Sequence, residues 1–305
     1  MKVLVTGGTG FIGSFLVKQL IKDGHAVFIL ARLGSSYKRI EDVINRVEII
    51  NVDYTNLEVS EDQILKCDPE IFFHLGWYGV ENKLHNDDDM ISVNLKTSIS
   101  LSKIILKSNI KTVIALGSQA EYGPYTSVIN ESYSANPTTL YGIAKLAAYN
   151  IFNYYMKTKE IRLVWLRLFS SYGPSDNANW LIPYLIKTLA EGKSPTLTKG
   201  EQIWDYIYID DVVTAIITCA QTEKAKGIYN LGAGIGYSLK MVITKIRNMV
   251  NHEIQLNFGE LPYKQNQVMV LQADNTKLKL ETGWQPLVEL DEGLESTVNW
   301  YLKFK

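Results

Sequence analysis

Over the first 168 residues, short apolar runs rich in branched side chains alternate with amphipathic stretches. Lys2 to Thr6, Ala26 to Leu30, Val47 to Val52, Ile71 to Leu75, Thr112 to Leu116 and Arg162 to Leu168 predict strands. Phe11 to Lys22 gathers Ile12, Phe15, Leu16 and Leu20 on one helical face, and further helices are predicted over Glu41 to Arg46, Asp62 to Lys66, Asp88 to Ser108 and Tyr141 to Lys157. Strands and helices alternating at this spacing imply βαβ units and an α/β fold with a doubly wound parallel sheet. Ligands of such sheets bind beyond the carboxyl ends of the strands, so the residues just after each strand hold the chemistry.

Beyond Leu168 the pattern loosens. Trp180 to Leu189, Asp211 to Gln221, a segment from the N-cap Ser238 to about Val250 and a last segment opened by Asp291 predict helices; Tyr206 to Ile209 and Ile228 to Leu231 predict extended chain. Residues 169–305 are therefore expected to form a smaller substrate-binding lobe, interleaved with the sheet of residues 1–168 and packed against its carboxyl ends.

The strand Lys2 to Thr6 breaks into Gly7, Gly8, Gly10 and Gly13 just as a helix starts at Phe11. Glycines at these spacings tighten the turn, let a pyrophosphate approach bare backbone and pack the helix on the strand, while the free N–H groups of the helix face the phosphates. In this context the pattern predicts a dinucleotide site and a Rossmann domain. At the end of the next strand Ala31 stands where an acidic residue would bond the ribose of NAD; Arg32 beside it suits a 2′-phosphate, with Ser35 and Ser36 as further donors. The expected cofactor is NADP(H), with NAD(H) as the alternative.

Composition narrows the partners. The 305 residues carry 31 basic and 32 acidic side chains, a net charge of −1, so no broad field favours nucleic acid or an anionic membrane. Cys67 and Cys219 have no cysteine or paired histidine nearby and read as core thiols of a reducing compartment. No apolar run reaches the ~20 residues that span a bilayer. A cytoplasmic protein is expected. His74 reads as a sheet-end histidine and Asp87 to Asp89 as the charged start of a helix; no metal is expected.

After the strand Thr112 to Leu116 come Ser118 and Gln119, and 23 residues beyond Ser118 stands Tyr141, followed at Lys145 by an ammonium one turn along the same helix face. A cation there would lower the phenol from its ordinary value of about 10. The same spacing recurs at Tyr155 with Lys159 and at Tyr301 with Lys305, but only Tyr141 opens a helix facing a sheet-end hydroxyl.

TGGTGFIG at Thr6 to Gly13, Ser118, and YGIAK at Tyr141 to Lys145 together resemble the extended short-chain dehydrogenase/reductase superfamily of nucleotide-sugar epimerases, dehydratases and reductases. LRLFSSYGP at Leu166 to Pro174, GEQIWDYIYIDDVV at Gly200 to Val213 and IYNLGAG at Ile228 to Gly234 are similar to its later blocks. The resemblance implies Tyr141 as proton donor or acceptor, Lys145 as its pKa modulator and ribose ligand, and Ser118 as a hydrogen bond to the sugar oxygen. It implies cofactor contacts at Gly7, Gly10, Phe11, Ile12, Gly13, Arg32, Ser35, Asp53, Tyr54, Leu75, Gly76, Trp77, Tyr141 and Lys145. For the nucleotide sugar it implies Ser118, Gln119, Tyr141, Ser170, Asn179 and Lys264, and for the assembly a homodimer.

Departures from the family pattern narrow the activity. Dehydratases carry an Asp-Glu pair where Gln119 and Ala120 stand, so elimination of water lacks its acid and base. IPYLIK, IYIDDVV, LGAG and GWQP resemble reductases of nucleotide-linked 4-keto-6-deoxyhexoses, the type that completes CDP-abequose or dTDP-6-deoxyhexoses. Trp204 replaces an Arg that many relatives place on the diphosphate, and Ser170 an Asn of the epimerases. Trp77, Tyr78 and Trp180 either line the hexose or base pocket or pack in the core. The expected activity is NADP-dependent 4-keto reduction, with an NAD-dependent C4 epimerase as the alternative. A scaffold that only binds dinucleotide would need neither Ser118, Tyr141 nor Lys145.

Overall fold

The computed structural model describes residues 1–80, 87–264 and 267–303. The first half runs β1 (Lys2–Thr6), α1 (Phe11–Lys22), β2 (Ala26–Arg32), β3 (Val47–Val52), α2 (Glu61–Lys66), β4 (Ile71–His74), α3 (Asp88–Lys107), β5 (Thr112–Ser118), α4 (Leu140–Thr158) and β6 (Arg162–Leu168). The second runs β7 (Ser170–Tyr172), α5 (Leu181–Ala190), β8 (Ile203–Tyr208), α6 (Ile209–Gln221), β9 (Gly227–Leu231), β10 (Gly236–Ser238), α7 (Leu239–Val250), β11 (Val270–Leu271), α8 (Thr276–Thr282) and α9 (Leu290–Lys303). The predicted helix at Glu41 to Arg46 is instead a 3₁₀ segment over Lys38–Arg46, interrupted at Ile40, whose side chain is fully buried while its backbone leaves the helical region. Burial of that one residue, and not helical periodicity, sets the path.

Seven strands form one parallel sheet in the order β3-β2-β1-β4-β5-β6-β9. The order reverses between β1 and β4, which opens a crevice at their carboxyl ends. Successive residues of a strand point to opposite faces. Val3 and Val5 pack with α1 and α6, while Leu4 packs on the other face with α3 and α4. Both faces are thus covered, which is why these strands read as nearly unbroken apolar runs. Cys67 and Cys219 are free thiols inside these layers. Although β9 and α6 lie beyond Leu168, they belong to this sheet and its helical layer.

The remaining strands gather on β8. Its first half pairs with β10 and β11 and its second half with β7. Asp205 in its middle is buried and accepts from the N–H groups of Ala233, Gly234 and Ala273. This carboxylate knits the LGAG turn to β11. Ser238 caps α7 through Met241 N, as the sequence implied, and Asp87, in the charged start read from the sequence, caps α3 through Asp89 N. Among the described residues no helix is long and apolar enough to cross a membrane.

Candidate active site

The turn after β1 is built for close backbone approach. Gly7 has a φ of 71°, and a Cβ there would stand 2.7 Å from Gly76 N. A Cβ on Gly13 would stand 2.0 Å from Gly7 O. Helix α1 then starts at Phe11 with no side chain capping it and no acidic residue in its first turn, in contrast to α3 and α4, which Asp87 and Thr139 cap. Its N–H groups at Phe11, Ile12 and Gly13 carry the positive end of the helix dipole. A bare-backbone cradle beside an uncapped helix fits a dinucleotide pyrophosphate.

Opposite this turn, at the end of β4, His74 is buried and neutral, its Nδ1 2.8 Å from Thr6 Oγ1. Burial, with the Lys145 charge adding, holds its pKa down to about 3. Thr6 Oγ1 also accepts from Gly76 N, and Leu75 N donates to Thr6 O. Buried Asn94 of α3 bonds both the N–H and the carbonyl of Tyr78. The chain from Leu75 to Tyr78 is therefore fixed over the crevice, and Asn94 is a residue that the sequence reading missed.

Ser118 ends β5 and caps a one-turn 3₁₀ helix, its Oγ accepting from Ala120 N. Thr139 caps α4 and brings Tyr141 onto that hydroxyl, with which its side chain hydrogen-bonds. One turn on, buried Lys145 donates to Leu116 O at 2.9 Å and lies over the Trp77 ring, 3.9 Å from its centroid. The Trp77 and Tyr141 rings meet edge to face at 6.1 Å. Trp77 is thus a wall of the site; Tyr78 is fixed by its backbone, and Trp180 precedes α5 half-buried.

The electrostatics differ from the expectation that Lys145 lowers the phenol. Burial pushes Tyr141 up to about 12, partly offset by the Ser118 hydrogen bond, and pushes Lys145 down to about 7, partly offset by Glu121. Burial dominates both shifts because desolvation disfavours the charged form of each group.

Glu121 is the second residue that the sequence reading missed. It is fully buried; Oε1 accepts from Ser118 N and from Trp165 Nε1, and Oε2 pairs with Arg167 Nε at 2.7 Å. Arg167 lies over the Tyr122 ring, and Tyr122 donates to Asn230. The signal was a Glu three residues after a sheet-end Ser, a capping box.

The other expected residues lie around the crevice. Arg32 is exposed at the end of β2, with Ser35 N donating back to its carbonyl, while Ala31 is buried in the core. Asp53 accepts from Thr55 just past β3, and the Tyr54 hydroxyl donates to Leu30 O. Gln119 and Ser170 are half-buried; Asn179 and Lys264 are exposed. Trp204 donates to Val268 O and tilts against Tyr206. Of the other Tyr-Lys pairs, Lys159 donates to Leu106 O at the end of α3, and Tyr301 donates to Asp176 O while Lys305 lies outside the described residues.

The sequence pattern of the "NAD dependent epimerase/dehydratase family" matches residues 3–232. The chain is 29% identical to a CDP-abequose synthase of Salmonella typhimurium, over 96% of each chain. Among solved structures it resembles a UDP-glucose 4-epimerase of Thermotoga maritima with UDP-glucose, at a TM-score of 0.91 and 26% identity over 100% of this chain and 99% of that one. It also resembles a UDP-glucuronic acid 4-epimerase of Bacillus cereus in complex with NAD, at 0.87 and 25% over 100% and 97%.

Proposed function

We propose a reaction for this chain, which belongs to the NAD dependent epimerase/dehydratase family: reduction of the C4 keto group of a nucleoside-diphosphate 4-keto-6-deoxyhexose, with NADPH as cofactor. The observation that carries it is the convergence of Ser118, Tyr141 and Lys145 at the end of β5, beside the crevice that the uncapped start of α1 faces. When bound, the reduced nicotinamide supplies the hydride. An oxygen beside the Ser118 and Tyr141 hydroxyls can accept from both, and the phenol, held neutral by burial, is in its proton-donating form. Lys145 has donors left over from Leu116 O for a ribose hydroxyl. Neither Gln119 nor Ala120 offers a carboxylate, and both oxygens of Glu121 are engaged, which argues against elimination of water. The likeness to a CDP-abequose synthase supports this reading.

NADP(H) rests on Arg32, exposed at the end of β2, and on the absence of a carboxylate at Ala31. We take the protein to act in the cytoplasm as a homodimer, with the diphosphate met at Asn179 and Lys264. A second reading, an NAD-dependent C4 epimerase, is favoured by the likeness to the 4-epimerases.

Incubation with NADPH and a small panel of nucleotide-linked 4-keto sugars separates the two. Stoichiometric loss of NADPH, from protein that releases no bound NAD on denaturation, is expected. Interconversion of 4-hydroxy sugars without added cofactor would overturn the reductase in favour of the epimerase.

A further inference from the structure

Lys145 is a buried ammonium whose hydrogen bond among the described residues goes to the Leu116 carbonyl, and whose other near neighbour is an aromatic face. Trp77 presents that face at 3.9 Å and turns its edge toward the Tyr141 ring at 6.1 Å. An indole that merely fills a core usually finds a partner for its N–H. Here Nε1 is buried without one among the described residues, while the ring face meets the cation. The backbone on both sides is pinned: Gly76 N donates to Thr6 Oγ1, and Tyr78 is bonded at N–H and carbonyl to Asn94. The indole is thus held by β1 and α3 and offered to α4.

We propose that Trp77 is a positioning residue whose indole face holds the Lys145 ammonium beside the Tyr141 phenol at the end of β5. A cation over a desolvated Trp face is attracted by the ring quadrupole, and Trp is the best of the aromatic side chains for this. The attraction acts only on the charged form. It therefore opposes the burial that pushes Lys145 down to about 7.

Among the described residues, the other titratable groups around Lys145 leave this role to Trp77. Tyr141 and Tyr149 on its own helix are phenols raised by burial. His74 on β4 is held neutral. Glu121 after β5 favours the ammonium, but its carboxylate is paired with Arg167 on β6, which offsets its charge. The inference rests on the proton relay proposed above for its catalytic meaning, while its first measurement is independent of any substrate.

That measurement is the titration of Lys145 in protein labelled with ¹³Cε-lysine, its NMR signal identified by its loss in Lys145→Met. Trp77→Met, which fills space without a π-face, should lower the midpoint by about one pH unit. Trp77→Phe, with a smaller face, should lower it by less. An unmoved midpoint in Trp77→Met, or equal shifts in both variants, overturns the proposal. If Trp77→Met does not fold, Trp77→Phe decides alone, and an unmoved midpoint there overturns it. In turnover, the alkaline limb of the kcat profile should move to lower pH with the midpoint; a uniform loss of rate with an unmoved limb would show packing alone. A shifted midpoint in a protein that reduces no 4-keto sugar would leave this inference standing and remove the reaction above.

Discussion

Tyr141 and Lys145 lose their protons in the order opposite to that of a phenolate paired with an ammonium: the phenol stands at about 12 and the ammonium at about 7. A group meant to give a proton to a ketone oxygen gains from this, because the donor stays protonated across the neutral range. Tyr141→Phe keeps the ring against Trp77 and removes the proton. Turnover should fall by roughly 10²–10⁴, the usual worth of a general acid, with cofactor affinity little changed. Near-normal turnover would take Tyr141 out of the mechanism. At the far end of the crevice, Arg32 is exposed and its removal should leave the fold intact. Arg32→Ala should cut kcat/KM for NADPH by about 10- to 100-fold, as expected for loss of a charge-assisted hydrogen bond, and barely alter that for NADH. Equal losses with both cofactors would end the assignment of NADP.

At the scale of elements, the glycine turn after β1 is tightly constrained. Gly13→Ala drives a methyl onto Gly7 O, a backbone atom that cannot swing away, so strain of about 1–3 kcal/mol or more is expected. The melting temperature should fall and added dinucleotide should no longer raise it; a variant that binds as before would show that the turn is looser than its geometry. This turn was legible because strand, glycines and helix follow one another in sequence. So were the strands up to β6, since the layers on both faces of the sheet leave them mostly apolar. By contrast, β7, β10 and β11 are two or three residues long and exist only through pairing with β8. No local pattern announces them. The same holds in the site: Ser118, Tyr141 and Lys145 could be read from their place after a strand and at a helix start together with the family resemblance, whereas Glu121, Asn94 and the cation-bearing face of Trp77 depend on which distant element each one meets.

The whole molecule is joined where three of its parts converge on Ser175 and Asp176. Arg39, from the connection after β2, donates to Ser175 O, and Tyr301, from α9, donates to Asp176 O. The Asp176 carboxyl between them is buried and pushed up to about 7, with Asn177 N and the Arg39 charge only partly compensating. Its ordinary value is 3.8, so between about 4 and 7 the folded chain binds this proton more tightly than the unfolded one, and stability falls as pH rises through that window. Asp205, pushed up to about 6, acts in the same sense over a narrower window. His74, held down to about 3 from 6.5, acts in the opposite sense below 6.5, because the unfolded chain then binds the extra proton. These two offset each other over much of the acid range, and Lys145, held down to about 7 from 10.5, makes stability rise with pH above 7, so the Asp176 contribution is read from the difference between a variant and the parent protein. Asp176→Asn keeps an acceptor for Asn177 N and removes the buried charge. It should stabilise the protein at pH 8 by about 2–4 kcal/mol, from ~1.4 kcal/mol per pKa unit, and by much less at pH 5, where the native carboxyl is already protonated. Thermal melts of both proteins at the two pH values would show it. The same gain at pH 5 as at pH 8, or no gain at either, would mean that the junction holds an ionised carboxylate without strain.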